Sequence, residues 1–281
     1  MGKNLLIGAC SDYDWPTLAP WVKSANACGF QGDKIMIAFR ASYDTVLKLF
    51  DHGFQVVMFN RDEEKKVVWY ESPNRVYIER FLQIYNFLRD KASSYDYVIA
   101  ADTRDVIFQT DPAAWLRDNL GDKKLVVAGE GIRYRDEQWN RDNLVETYGP
   151  QIYDLYKDNE IYNVGTIGGR GEAMRDLVLD LFTGGVNRVA PIVDQAVLNV
   201  LIQSGPYKDK VKFTGAGDAF ACQAAVGADP KNVHLRPFLT GPAPVFEDGV
   251  VKNAAGKVFS MVHQYDRVPA WKESILQKYA A

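Results

Sequence analysis

The chain has 281 residues, 47% of them hydrophobic and 25% charged, with a net charge of −3. These values fit a globular chain with a sizeable core, and the scattered Lys and Arg residues exclude a broad basic field for nucleic acid while leaving room for a local anion pocket. No apolar run approaches membrane-spanning length, and the sparse, unpaired set Cys10, Cys28 and Cys222 fits small core residues of a reduced, cytoplasmic protein. Peripheral attachment to a membrane-bound acceptor would leave no mark in such a sequence. Leu5-Leu6-Ile7, too short for a secretion signal, predicts a first strand. Leu18, Trp21, Val22 and Ala25 then recur at helical spacing, and Ile35-Met36-Ile37-Ala38 predicts a second strand. Val46, Leu47 and Phe50 are expected on one helix face closed by Gly53, followed by a strand at Val56-Val57-Met58-Phe59. Tyr77, Phe81, Ile84, Tyr85 and Leu88 form an amphipathic stripe, and Tyr97–Ala101 and Leu125–Ala128 predict two buried strands.

This alternation implies an α/β fold, a mostly parallel central sheet flanked by helices. The expectation is one domain over 1–281, with 1–128 as a nucleotide-binding half and 129–281 as an acceptor and sugar half. Segment 129–160 is polar and aromatic; helices are expected around Met174–Phe182 and over 195–202. Strand-like runs recur at Val211-Lys212-Phe213 and 258–262, and Trp271, Ile275, Leu276 and Tyr279 mark a last helix. Residues 227–257, rich in Gly, Pro and Ala, predict a long ordered loop. Gly8-Ala9-Cys10-Ser11 lacks GxGxxG, there is no GxxxxGK[ST], and Gly168-Gly169-Arg170-Gly171 reads as a turn, so a bound nucleotide is not held by a glycine-rich phosphate loop.

The chemistry concentrates where the strand at Tyr97–Ala101 ends in Asp102-Thr103-Arg104-Asp105. Ligands of parallel α/β sheets bind at the carboxyl ends of strands, and carboxylates placed there can hold a divalent cation that neutralises a diphosphate. The plain alternative is that Asp102 caps a turn and Asp105 pairs with Arg104 on the surface.

The segment resembles the DxD region of GT-A glycosyltransferases, whose fold class is that of nucleotide-diphospho-sugar transferases. Tyr162-Asn163-Val164-Gly165-Thr166 is similar to the NxG motif of the glycogenin-like, retaining family, and Asp194-Gln195 with Asn199 to its DQxxxN motif. His263, followed by Arg267, Pro269 and Trp271, resembles its C-terminal histidine segment, and Trp21-Val22-Lys23-Ser24 falls where such enzymes carry a helix ending in a serine-containing turn. The resemblance runs from about residue 4 to residue 275. It implies transfer of a hexose from a nucleoside-diphosphate sugar, a UDP-sugar first, to a hydroxyl of a glycan or glycolipid, with retention. The departure is Arg104, which stands where the second Asp of DxD would be. Strand alternation would send Asp102 and Asp105 to opposite faces, but a turn after Ala101 removes that constraint. Two versions follow. In one, Asp102, Asp105 and His263 bind Mn2+ or Mg2+. In the other, Arg104 and Arg267 supply the positive charge.

Asp194 is expected to orient the hydroxyls of the transferred sugar or stabilise charge at the anomeric carbon, with Gln195 beside that centre; the structural alternative makes Asp194 a helix N-cap. Asn163 and Gly165 suggest a tight turn close to a sugar. Arg75 and Arg80 precede the acidic strand; Arg80, among apolar positions, either points into the cleft toward phosphate or flanks the core with its head in water. Ser11, Asp12 and Tyr13 follow the first strand, where a base and ribose would rest. Glu130, Tyr134, Trp139, Asn140 and Tyr148 are the candidate acceptor wall. His52 reads as a helix C-terminal partner and His234 has no assigned role. Two rivals stand beside the transferase: a sugar nucleotidyltransferase, which would carry a basic glycine-rich loop where Ser11-Asp12-Tyr13-Asp14 stands, and a non-catalytic carbohydrate-binding protein on the same fold. The oligomeric state leaves no signature.

Overall fold

In a computed structural model describing residues 2–279, the chain opens with β1 (Lys3–Ser11), α1 (Trp15–Ala27), β2 (Asp33–Ser42), α2 (Tyr43–Asp51), β3 (Gln55–Val57), β4 (Asn60–Asp62), β5 (Val67–Trp69) and α3 (Val76–Leu88). Next come β6 (Tyr95–Ala101), β7 (Val106–Phe108), α4 (Pro112–Asn119), β8 (Leu125–Arg133), α5 (Gln138–Tyr148), α6 (Pro150–Tyr156), β9 (Glu160–Gly169), α7 (Gly171–Gly185) and α8 (Asp194–Gln203). The last elements are β10 (Val211–Thr214), β11 (Ala221–Gln223), α9 (Ala224–Gly227), β12 (Val245–Glu247), β13 (Val250–Lys252), β14 (Met261–His263) and α10 (Pro269–Lys278).

The main sheet runs β10-β8-β9-β6-β1-β2-β5-β4, with β3 also paired to β2. The expected parallel arrangement holds from β3 through β2 and β1 to β6, and for β10 on β8. β9 runs antiparallel to both β6 and β8, and β5 antiparallel to both β2 and β4. Side chains alternate across this sheet. Leu6, Met36, Ile99 and Val126 pack under α1, α2 and α4, whereas Leu5, Ile35, Val98 and Leu125 pack under α3, α7 and α8. Both faces are covered, which is why the central strands read as unbroken apolar runs. Asp14 and Asp111 start α1 and α4 by accepting the backbone N–H groups of Thr17 (3.0 Å) and Ala113 (2.8 Å), each with a proline in the first turn. A second sheet, β11-β14-β7, packs its own core against α10 through Ile107, Val262, Trp271 and Ile275.

Several local expectations change. In α2 the buried positions are Thr45, Val46 and Leu49, while Leu47 and Phe50 are 60% and 45% exposed. The third strand stops at Val57, and the run at 258–262 becomes a strand only from Met261. Segment 129–160 continues β8 and then forms α5 and α6. The stretch 227–257 contains a 3-10 segment, Pro230–Phe238, and the β12–β13 hairpin. Trp21-Val22-Lys23-Ser24 does not end a helix: α1 continues to Ala27, and Ser24 Oγ accepts the Phe108 N–H at 3.1 Å.

Candidate functional site

β6 ends at Ala101 and residues 102–105 turn before β7 begins. The Asp102 N–H donates to Gly165 O at 2.9 Å, and Thr103 Oγ1 donates to Ala9 O at 2.8 Å, which pins the turn to β9 and β1. Freed from strand alternation, Asp102 and Asp105 converge. β7 pairs with β14 so that Val106 lies opposite His263. His263 Nε2 thereby stands 3.7 Å from Asp102 Oδ2 and 3.5 Å from Asp105 Oδ1. One ligand atom from each of the three residues falls within 4.8 Å of the others.

β9 makes room for this cluster. Its pairing with β8 skips from Ile167 to Asn163, a bulge within the strand and not the expected tight turn. Asn163 Oδ1 closes the bulge by accepting the Gly165 N–H at 2.7 Å. A Cβ on Gly165 would stand 2.6 Å from His263 Cε1 and 2.8 Å from Asp102 Oδ2. Only glycine permits that approach.

Gln223 sets the histidine. Its Nε2 donates to Thr166 Oγ1 at 2.8 Å, which turns its Oε1 toward His263 Nδ1 at 2.7 Å. Nδ1 therefore carries the proton, and Nε2 faces the carboxylates. Burial alone would raise the Asp105 carboxyl and lower the His263 imidazole. Instead His263, and then Arg104, hold Asp105 well below the carboxylate range, while Asp105, and then Asp102, raise His263. Two carboxylates and an imidazole nitrogen, the latter oriented by an outer amide, fit a divalent cation such as Mn2+ or Mg2+.

Arg80 reaches from α3 into this cluster, with its head buried and not in water. Nη1 bonds Asp102 Oδ1, and Nη2 bonds Asp194 Oδ2 at 3.0 Å. Asp194 is the first residue of α8; the N-cap is Val193. Gln195 Nε2 donates to Glu130 Oε1 (3.0 Å) and Asn140 Oδ1 (2.7 Å), and Asn163 Nδ2 donates to the same Glu130 oxygen at 2.8 Å. Arg80, Asp102, Asp194, Gln195, Asn163, Gly165, Asp105 and His263 thus form one connected group.

Arg104 flanks it, half-exposed, 3.0 Å from Asp105 Oδ2 and 3.9 Å from Asp266 Oδ2, and Arg267 lies 3.8 Å from Asp266. Both guanidiniums already have carboxylate partners. Tyr13, partly buried, lies in the field of Arg104, Asp102 and Asp105. Ser11 and Asp12 line a cavity of 200 Å³ at the ends of β1 and β2, where Arg40 meets Asp12 at 3.3 Å. Arg75 is the exposed N-cap residue of α3 without a side-chain cap bond, and no contact joins it to the cluster among the described residues. In the expected acceptor wall, Glu130 and Asn140 are buried and Trp139 is 50% exposed. His52 bonds Lys48 O at 2.8 Å at the end of α2, as expected. The sequence reading missed Gln223, for which a lone glutamine in an alanine-rich segment gives no signal. It also missed the bridging role of Arg80, which its position inside an apolar stripe hinted at.

No family model matches the sequence, and no curated protein matches it either. Solved structures do. The glycosyltransferase GlyE of Streptococcus pneumoniae superposes with a TM-score of 0.55 at 14% identity, over 98% of this chain and 61% of that one. The bifunctional glycosyltransferase WbbM gives 0.60 at 13% identity over 99% and 50%, so the chain spans only part of either protein. The galactosyltransferase LgtC, solved with donor and acceptor sugar analogues, gives 0.57 at 13% identity over 99% and 96%. With its large central sheet flanked by helices, the chain has the GT-A glycosyltransferase fold.

Proposed function

We propose that the chain is a glycosyltransferase that moves a hexose from a nucleoside-diphosphate sugar, a UDP-sugar first, to a hydroxyl of a glycan or glycolipid acceptor, with retention and with a divalent cation. The convergence of Asp102, Asp105 and His263 over Gly165 carries this reading. These three residues would hold the ion, and a bound cation would neutralise the diphosphate as the sugar leaves. Arg80 locks Asp102 to Asp194, so the ion side and the sugar side of the site move as one unit. Asp194 then orients the hydroxyls of the transferred sugar and stabilises positive charge at its anomeric carbon, with Gln195 beside it. Arg104 and Arg267 at the mouth meet the diphosphate by exchanging a carboxylate partner for a phosphate. Ser11, Asp12 and Tyr13 take the base and ribose. Retention requires no carboxylate base on the acceptor face, in keeping with the family the sequence resembles.

Isothermal titration with UDP, with and without Mn2+, tests the reading directly. The expected result is binding that strengthens with Mn2+ and loses that dependence in Asp102→Ala. Absence of UDP binding under both conditions refutes a UDP-sugar donor site. A hydrolysis screen over UDP-, GDP- and dTDP-sugars then identifies the donor, and Asp102→Ala is expected to abolish turnover while the circular dichroism stays unchanged.

A further inference from the structure

On the side of β9 away from the Ser11–Asp12 cavity lies a larger one of 390 Å³, within the range of about 300–1,000 Å³ typical of small-molecule sites. It is bounded by the end of β8, the start of β9, the turn 215–217, β11 and the loop 239–244. Two of its wall residues hydrogen-bond members of the cluster. Gln223 accepts from His263 Nδ1 at 2.7 Å, and Glu130 accepts from Gln195 Nε2 at 3.0 Å. The sheet order places the two cavities on opposite sides of β6, the strand that leads into Asp102. From β2 to β8 is four strand spacings, about 19 Å, and the Asp102–Asp105–His263 cluster lies at the end of β6, between the strands that line the two cavities.

The walls of the larger cavity have one sign of charge. Glu130 and Glu160 line it, and no Lys, Arg or His does among the described residues. Glu160 Oε1 accepts the Gly131 N–H at 3.1 Å, and Glu130 is held only by amides. Burial pushes both carboxyls up, and neither has a salt-bridge partner among the described residues. A phosphate or carboxylate brought here would meet two acidic groups and no cation on the cavity wall to pair with it. Hydroxyls and amines would meet acceptors.

We propose that this cavity is the acceptor subsite and that it selects a sugar without negative charge, hydroxyl- or amine-bearing, with Glu160 as the residue that rejects anionic acceptors. The proposal rests on the glycosyl-transfer reading above. Its test is equilibrium binding to the full chain, by saturation-transfer NMR and titration, of methyl glucoside, glucosamine, glucuronate and glucose 6-phosphate in the presence of UDP and Mn2+. The first two are expected to bind and the anionic two to bind about tenfold more weakly or worse, a modest part of what like charges a few ångströms apart cost. Glu160→Gln keeps an oxygen for Gly131 N–H and is expected to narrow that gap. Ala216→Trp, on the cavity wall, is expected to abolish binding of every probe and leave UDP affinity unchanged. Equal binding of anionic and neutral probes, no binding of any probe, or full binding to Ala216→Trp overturns the proposal. Loss of UDP binding by the unaltered chain is a separate result, and it refutes the donor reading instead.

Discussion

Gly165 and Gln223 show how little of a site's support is carried by the groups that do its chemistry. Gly165 contributes a backbone carbonyl to the Asp102 N–H and the absence of a side chain, and Asp102 and His263 close over it. Gly165→Ala puts a methyl group against both, so we expect Mn2+-dependent UDP affinity to fall by at least about tenfold with the fold retained. Titration beside a thermal melt separates the two effects, and unchanged affinity would show that the cluster relaxes around the methyl. Gln223 acts one shell further out, by holding the proton on His263 Nδ1. Gln223→Leu keeps the volume and removes the acceptor; outer-shell losses of this kind cost about 10–100-fold in metal affinity, and competition with a chelating dye reads it. The acids were legible as the end of a buried strand, and the histidine as the end of a second one, in a segment that resembles a family motif. Gln223 was not, because its role depends on β11 pairing with β14, 40 residues away.

Among the elements, β9 was the hardest to read. Gly165, Gly168 and Gly169 remove the apolar signal that marks a strand, and its bulge breaks the period of two. The strands β1, β2, β6 and β8 were legible because both their faces are covered. In α2, the alternatives Leu47, Leu49 and Phe50 differ only in which face meets the sheet, and no local signal decides that. The start of α3 is a further case where local composition hides its reason. Glu79 is 1% exposed and holds Ser72 Oγ and Asn74 Nδ2 at 2.8 Å, Gln83 Nε2 at 2.8 Å and the Tyr70 hydroxyl at 3.1 Å. Burial works to raise this carboxyl, but the four donors together hold it below its ordinary value. A depressed acid stabilises the fold above its unfolded pKa and loses that contribution as pH falls through its folded value. Glu79→Gln is therefore expected to cost about 1.5–3 kcal/mol at neutral pH. The difference should shrink below about pH 4. Urea midpoints at both pH values check the sign; a gap that persists in acid would mean that packing, not charge, is what the glutamate supplies.

At the scale of the whole molecule, the Asp102–Asp105–His263 cluster joins the two sheets. Asp102 lies just beyond β6 of the main sheet, Asp105 in the turn to β7, and His263 at the end of β14 in the smaller sheet. The composition said nothing of this, because a net charge of −3 averages over a site where carboxylates gather. The chain separation of Asp102 and His263 means that the unfolded protein cannot offer the same three ligands together, so a cation held by them, as proposed above, would bind the folded state almost alone. Linkage then gives about 2.7 kcal/mol at a hundredfold excess of free ion over its dissociation constant. For a chain of this size that is a rise in melting temperature of about 5 °C. Melts in EDTA and in saturating Mn2+ are expected to differ by that amount, with His263→Ala showing no difference. If the melts coincide while UDP still binds, the ion drops out of the reading, and Arg80, Arg104 and Arg267 become the cations that meet the diphosphate.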